Sequence, residues 1–371
     1  MNDDQTISLE RAGRRQPRSG AFDAALVRLL LQGFKGVPVG FVLWDGTRLP
    51  AELKQPVAWL HVHDRQALVR MALNPDVQIG ELYSAGRVDV EGSLVDLAEA
   101  VYRVAHSSKV QGPLATLLRF VNRPRGNGRH QSPDNIQHHY DIGNDFYRLW
   151  LDEQLVYTCA YFPDPSVGLE DAQVYNISRA QIAHARERAR AEGLSEQVEF
   201  VEGDYREIAG DCDAFVSVGM LEHVGREHYR DLGAVIDRVL GADGRGLIHS
   251  IGAPISASLN PWIERHIFPG AYTPTLREMM AVLEPFRFSI LDVENLRLHY
   301  AKTLEHWLAR FETQEEAVRG MFDEPFVRMW RLYLSGSIAA FRCGTLDLFQ
   351  VLFNRRGGNA VPWTRSGWYH G

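Results

Sequence analysis

Between Ser178 and Gly252 the sequence alternates helix-like and strand-like segments, a pattern that few folds accept. SRAQIAHARERARAEG reads as a helix, with Ser178 as N-cap, Gln181 three residues on in a capping-box position and Gly193 as the stop. VEFVEGD reads as a short strand ending in an acidic turn, DAFVSVG as an apolar strand, HYRDLGAVIDRVLG as a helix and GRGLIHSIG as another strand. Strands alternating with helices argue for a parallel α/β sheet with helices on its faces. Ligands of such sheets bind beyond the carboxyl ends of the strands. That rule singles out Asp204 and Tyr205, then Gly219, Glu222 and His223, then His249 and Ile251. Any α/β sheet has polar strand ends, so a shared site and a set of unrelated ends both stay open.

The flanking sequence divides the chain. Residues 1–20 are polar and mixed in charge, a tail. Residues 21–118 read as a small α+β domain: a helix in AALVRLLLQG, a hairpin around Asp45-Gly46, a strand in AWLHVHD and a helix in RQALVRMAL. Residues 119–134 form a linker, in which RFVNRPRGNGRHQSP carries Arg119, Arg123, Arg125 and Arg129 among prolines and glycines and no acid. It is either a solvated connector or a contact for anionic phosphates, lipid headgroups included. A larger domain then runs over 135–371. Within it, Leu304, Trp307, Leu308 and Phe311 fall at helical spacing, FVRMWRLYLSGSIAAFRCG reads as a second apolar helix and LFQVLF as a final strand.

Composition narrows the function. With 371 residues there is room for two or three domains at about 100–200 residues each. Forty basic against 47 acidic side chains leave a net charge of −7, without the basic footprint of a nucleic-acid binder. No run approaches the ~18 apolar residues of a membrane span, and the N-terminus has no apolar core of a secretory signal. Cys159, Cys212 and Cys343 lie far apart, which fits a reducing cytoplasm better than a disulfide framework. HHYDIGNDFYRLWLDEQLVYTCAYF is dense in aromatic residues and suits either an apolar ligand channel or a core. Cys159 within it reads as a buried small hydrophobe. His223 and His228 have loose metal-like spacing without a third ligand, so a solvent-facing helix is the expectation there and no metal site is assigned.

At these residues the sequence resembles the cyclopropane-fatty-acid-phospholipid synthase family. GELYSAGRVDVEG is similar to the family's N-terminal, lipid-docking domain. HHYDIGNDFYRLWLDEQLVYTCAYF, YNISRAQIAHARERA, VSVGMLEHVG, IERHIFPGAYTPTLREM and LHYAKTLEHW follow in family order. The resemblance implies a Rossmann-like class I methyltransferase domain behind the small α+β domain. It also implies methylene transfer from S-adenosylmethionine across a cis double bond of a phospholipid acyl chain. Its sister reaction, methylation without ring closure, could use the same site. By the same resemblance, bicarbonate accepts the proton and is held by Cys159, Glu222, His249, Ile251 and Tyr300, the catalytic set. Tyr140, Gly143, Tyr157, Thr158, Gln181, Asp204, Tyr205 and Gly219 would hold S-adenosylmethionine, and Phe268 and Tyr272 would line the acyl channel. The implied setting is cytoplasmic and peripheral on the inner face of the membrane, as a homodimer.

One expected piece is missing. Class I methyltransferases open with a strand, a glycine-rich loop and a helix before the second strand, because only glycine lets backbone approach the cofactor closely. Here LEDAQ, ending at Gln173, runs directly into VYNISRAQ, starting at Val174, where the family has an LDIGCGWG-like motif. The missing unit amounts to roughly 40–50 residues at ordinary element lengths. Either the unit is deleted, which would make the chain an inactive, lipid-binding relative, or the physical protein carries a segment that this sequence omits. The clean flanks favour the second reading. Intact-mass spectrometry decides it: a mass well above 42.0 kDa is expected, and a value at 42.0 kDa would overturn the omission.

Overall fold

A computed structural model of the chain describes residues 17–34, 36–107, 142–152, 155–160, 179–191, 193–201, 203–359 and 361–365. The basic linker, the 173/174 junction and Tyr140 lie outside the described residues, as does the side chain of Gln181.

The N-terminal domain is built on strands β1 (Val39–Val42), β2 (Arg48–Leu49), β3 (Ala58–Val62) and β4 (Val88–Gly92), in the order β2-β1-β3-β4. The hairpin read around Asp45-Gly46 is the antiparallel β1–β2 pair, and Gly46 takes the left-handed φ of 85° that its turn needs. Helices α1 (Ala21–Gly33), α2 (Arg65–Leu73), α3 (Pro75–Ser84) and α4 (Leu94–Ser107) complete the domain. Asp64 caps α2 by accepting from the Ala67 amide at 2.8 Å, and it also holds Arg87. Phe41, Leu60, Leu68 and Met71 fill its core.

The larger domain carries a second four-stranded sheet. Its strands β5 (Cys212–Val218), β6 (Leu240–Gly252), β7 (Ser289–Asn295) and β8 (Asp347–Asn354) lie in the order β5-β6-β8-β7. Only β5 and β6 are parallel; β8 runs antiparallel to both neighbours, so the sheet is mixed, not parallel throughout. Among the described residues, the helices of this domain are α5 (Asn144–Arg148), α6 (Arg179–Ala191), α7 (Leu221–Val224), α8 (Tyr229–Val239), α9 (Pro261–His266), α10 (Leu276–Leu283), α11 (Arg297–Thr313), α12 (Glu315–Met321) and α13 (Glu324–Arg342). α8 and α10 cover one face of the sheet, packed so closely that a Cβ at Gly233 would meet the Val282 carbonyl.

The strand expected in VEFVEGD does not form among the described residues. A strand needs a neighbour to hydrogen-bond, and the missing unit would have supplied one. Val198 and Val201 stand exposed in its place. β5 shows the same loss. Its apolar run AFVSV is that of a strand buried on both faces, yet Val216 is 62% exposed on the face away from α8.

Away from the sheet, α5, residues 155–160, α9, α11 and α13 enclose an aromatic core. Trp330 of α13 is fully buried and packs edge-on to Phe146 at 5.0 Å, with Trp150, Phe326 and Tyr333 around it. The opposite side of α13 carries the N-terminal domain: Arg328 donates to the carbonyls of Tyr83 and Val88 and to Asp89, and Arg342 bonds Glu99 at 3.0 Å. Trp330→Ala should cost about 3–5 kcal/mol in urea unfolding; a loss under about 1 kcal/mol would show that the cluster is not the domain's core.

Candidate active site

The site begins where β5 ends. Val218 pairs with His249 of β6, and the Gly219 amide donates to the His249 carbonyl at 2.9 Å. At Gly219 the chain turns with φ 61°, a left-handed conformation that favours glycine, and enters the single turn of α7. That turn points Glu222 inward. Its Oε1 accepts from the Ile251 amide at 2.6 Å, and its own carbonyl accepts from the Tyr272 amide at 2.9 Å. Oε2 is buried without a partner. Burial raises the carboxyl pKa to about 7, against the smaller opposing effect of its hydrogen bonds, so near neutral pH Glu222 exists in both protonation states.

His249 and Ile251 sit two residues apart on β6 and therefore share a face. The His249 ring is buried, its Nε2 has no partner, and burial lowers its pKa to about 4, which keeps it neutral. Residues 155–160 form the opposite wall. Cys159 donates from Sγ to the Ala160 carbonyl at 3.1 Å, and burial pushes the thiol pKa up, so it stays an uncharged apolar group. Thr303 of α11 holds this wall by accepting from the Ala160 amide at 3.1 Å. The Tyr157 and Tyr333 hydroxyls are bonded at 2.9 Å. Tyr300 lies against the Phe341 ring at 4.9 Å and the Trp307 ring at 5.9 Å.

Tyr157 and Cys159 thus belong to one apolar cluster, with Ile251, Phe268 and Tyr300 packed against it and Glu222 bound to Ile251. Thr158 is half-buried in the same wall, and Gly143 precedes α5 with φ 101°. Asp204 and Tyr205 take another course. Asp204 caps a short 3-10 turn and pairs with Arg206 at 2.9 Å, while Tyr205 packs on the sheet core under the Arg206 guanidinium. Tyr272 gives the site its backbone, whereas its hydroxyl bonds Glu278 at 2.9 Å and Ser256 at 2.7 Å.

His223 corrects an expectation. It does not sit on a solvent-facing helix; α7 is a single turn wedged into the site, and the imidazole lies 6.3 Å from the Phe268 ring, with burial lowering its pKa to about 4. Sequence reasoning also missed Tyr229, Thr303 and Tyr333. Tyr229 is buried with an unpartnered hydroxyl, and its pKa is raised by burial and then by the nearby Glu222 charge. In sequence these three are ordinary helix residues; only the fold brings them to the site.

Comparisons with known proteins show the family. The mycolic acid cyclopropane synthetase family profile matches residues 128–179 and 174–351. The chain belongs to this family. Its members are S-adenosylmethionine-dependent methyltransferases of the class I fold. A domain of unknown function matches residues 26–112. A probable fatty acid methyltransferase of Pseudomonas putida is 29% identical over 90% of this chain and 96% of its own length. The tuberculostearic acid methyltransferase of Mycobacterium tuberculosis is 30% identical over 92% and 94%. The Escherichia coli cyclopropane-fatty-acyl-phospholipid synthase is 32% identical over 60% and 68%. Among solved structures, the mycolic acid cyclopropane synthase CmaA1 complexed with SAH and CTAB superposes with a TM-score of 0.51 at 24% identity, over 60% of this chain and 98% of that one.

The same comparisons bear on the missing unit. The two family blocks meet at residues 174–179, beside the junction. The alignment with the Pseudomonas putida protein runs over 395 positions, yet 90% of 371 residues is about 334, so about 60 positions of that relative face no residue here. The residues present therefore fit S-adenosylmethionine on one side only. Gly219 offers open backbone at the end of β5, but the sequence has no glycine-rich loop for the other side. Glu222 Oε2 and His249 Nε2 are buried polar atoms without partners, the chemistry a small polar ligand such as bicarbonate would need.

The Glu222 shift carries a stability signature. A carboxyl with its folded pKa raised from 4.5 to about 7 contributes stability below pH 4.5 that is lost as pH rises through 7. Glu222→Gln cannot ionise, so at pH 8 it should be more stable than wild type by about 1–3 kcal/mol in urea unfolding. An equal or lower stability at pH 8 would contradict the raised pKa.

Proposed function

We propose that the site performs one-carbon transfer from S-adenosylmethionine to a cis double bond of a phospholipid acyl chain, closed by proton loss to a cyclopropane. The observation that carries this reading is the buried Glu222, with a pKa near 7 and one oxygen without a partner, bound to Ile251 at the edge of the aromatic cluster. S-adenosylmethionine, when bound, supplies an electrophilic methyl group. The buried aromatic cluster would exclude water, and the rings of Tyr300 and Trp307 would favour positive charge developing on an acyl chain beside them. Glu222 and His249 would hold bicarbonate, which would accept the proton, help typically worth about 10²–10⁴ in rate.

A second reading, acyl-chain methylation without ring closure, is favoured by one observation: two relatives that align with at least 90% of this chain carry methyltransferase names. Both readings need the cofactor half that the 371-residue chain lacks. The chain as read retains the acyl-binding and proton-handling half. The physical protein, in this proposal, carries the missing segment, acts peripherally on the membrane from the cytoplasm and forms a homodimer.

The test is incubation with unsaturated phospholipid vesicles and S-adenosylmethionine, with mass spectrometry of the fatty acids and intact-mass measurement of the same sample. A gain of one CH₂ without a remaining double bond, from a protein heavier than 42.0 kDa, is expected. A retained double bond would favour the methylation reading. Vesicle binding without any CH₂ gain would make the protein a lipid-binding relative.

A further inference from the structure

The N-terminal domain does more than lie beside the site. α3 presents Gly80 to α9, and the fit leaves no room: a Cβ at Gly80 would come within 2.6 Å of the Trp262 indole. The next residue, Glu81, is half-buried and accepts from Arg265 Nη1 at 3.0 Å and from His266 Nε2 at 2.9 Å, both on α9. Asn260, which caps α9 by accepting from the Trp262 amide at 2.9 Å, also reaches the Asp76 carbonyl of α3 at 3.4 Å. Three contacts thus fix the single helix α9 to the N-terminal domain.

α9 leads directly into residues 267–272. The Ile263 carbonyl of α9 accepts from the Ile267 and Phe268 amides at 2.9 and 3.0 Å, and Glu264 accepts from the Gly270 amide at 3.4 Å. Phe268 thereby packs on Tyr333, 5.7 Å between ring centroids, and Tyr333 bonds Tyr157 within the aromatic cluster. At its far end the segment donates from the Tyr272 amide to the Glu222 carbonyl. One edge of the aromatic cluster is therefore pinned to the N-terminal domain at one end and to Glu222 at the other.

We infer that α3 is a positioning element for the acyl-binding wall, with Gly80 and Glu81 setting the place of Phe268 through α9. This rests on the reading that an acyl chain binds against the aromatic cluster. Glu81 does not touch the cluster itself; it acts through Arg265 and His266. Loss of its carboxylate should let α9 shift and loosen the wall. Glutamine keeps an oxygen that both donors can use, so it should preserve the geometry.

Fluorescence titration of the full chain with cis-parinaric acid, an acyl probe that needs no S-adenosylmethionine, tests this directly. Glu81→Ala should raise the Kd by about five-fold or more, and Glu81→Gln should stay within about two-fold of wild type. Gly80→Leu should weaken binding as Glu81→Ala does; if it fails to fold, the two Glu81 variants still decide. Wild-type binding that Glu81→Ala leaves unchanged overturns the inference. Equal loss in Glu81→Ala and Glu81→Gln overturns the positioning role as well. A wild-type protein that does not bind the probe contradicts the acyl-site reading and takes this inference with it.

Discussion

The bond from the Ile251 amide to Glu222 Oε1 is the contact on which the site depends. It ties the turn after β5 to the end of β6, and it spends one carboxylate oxygen while leaving the other free in a buried place. A carboxyl group there cannot behave as it does in water. Desolvation disfavours its charge, hydrogen bonding partly restores it, and the balance falls near neutrality.

Much of this was legible from residue order. The helical spacing of Leu304, Trp307, Leu308 and Phe311 corresponds to the buried face of α11, and the apolar runs DAFVSV and LFQVLF correspond to β5 and β8. The residue types at the ends of β5 and β6 also come together as strand-end chemistry requires. Other features depended on neighbours that the local sequence does not name. VEFVEGD has strand composition, but a strand exists only where another strand takes its hydrogen bonds. His223 looked solvent-facing because a one-turn helix has no periodicity to read. The seam between Gly80 and Trp262 joins residues far apart in sequence, which no spacing rule connects.

The fold is therefore unequal in its two halves. On one side, α11, α13 and residues 155–160 enclose a dense core, and the N-terminal domain braces it from behind through Arg328 and Glu81. On the other, β5 leaves Val216 open and the sequence lacks the glycine-rich unit of the class I fold. In the proposed reading, the first side serves the acyl chain and the second would bring the methyl donor close.

The most direct measurement is a carboxyl titration of Glu222 in the intact protein, by carbon-13 NMR with labelled glutamate and Glu222→Gln to assign the signal. A midpoint near pH 7 is predicted. A midpoint near 4.5, the ordinary value for a glutamate, would mean that the group is solvated and that no sheltered proton-handling site exists there.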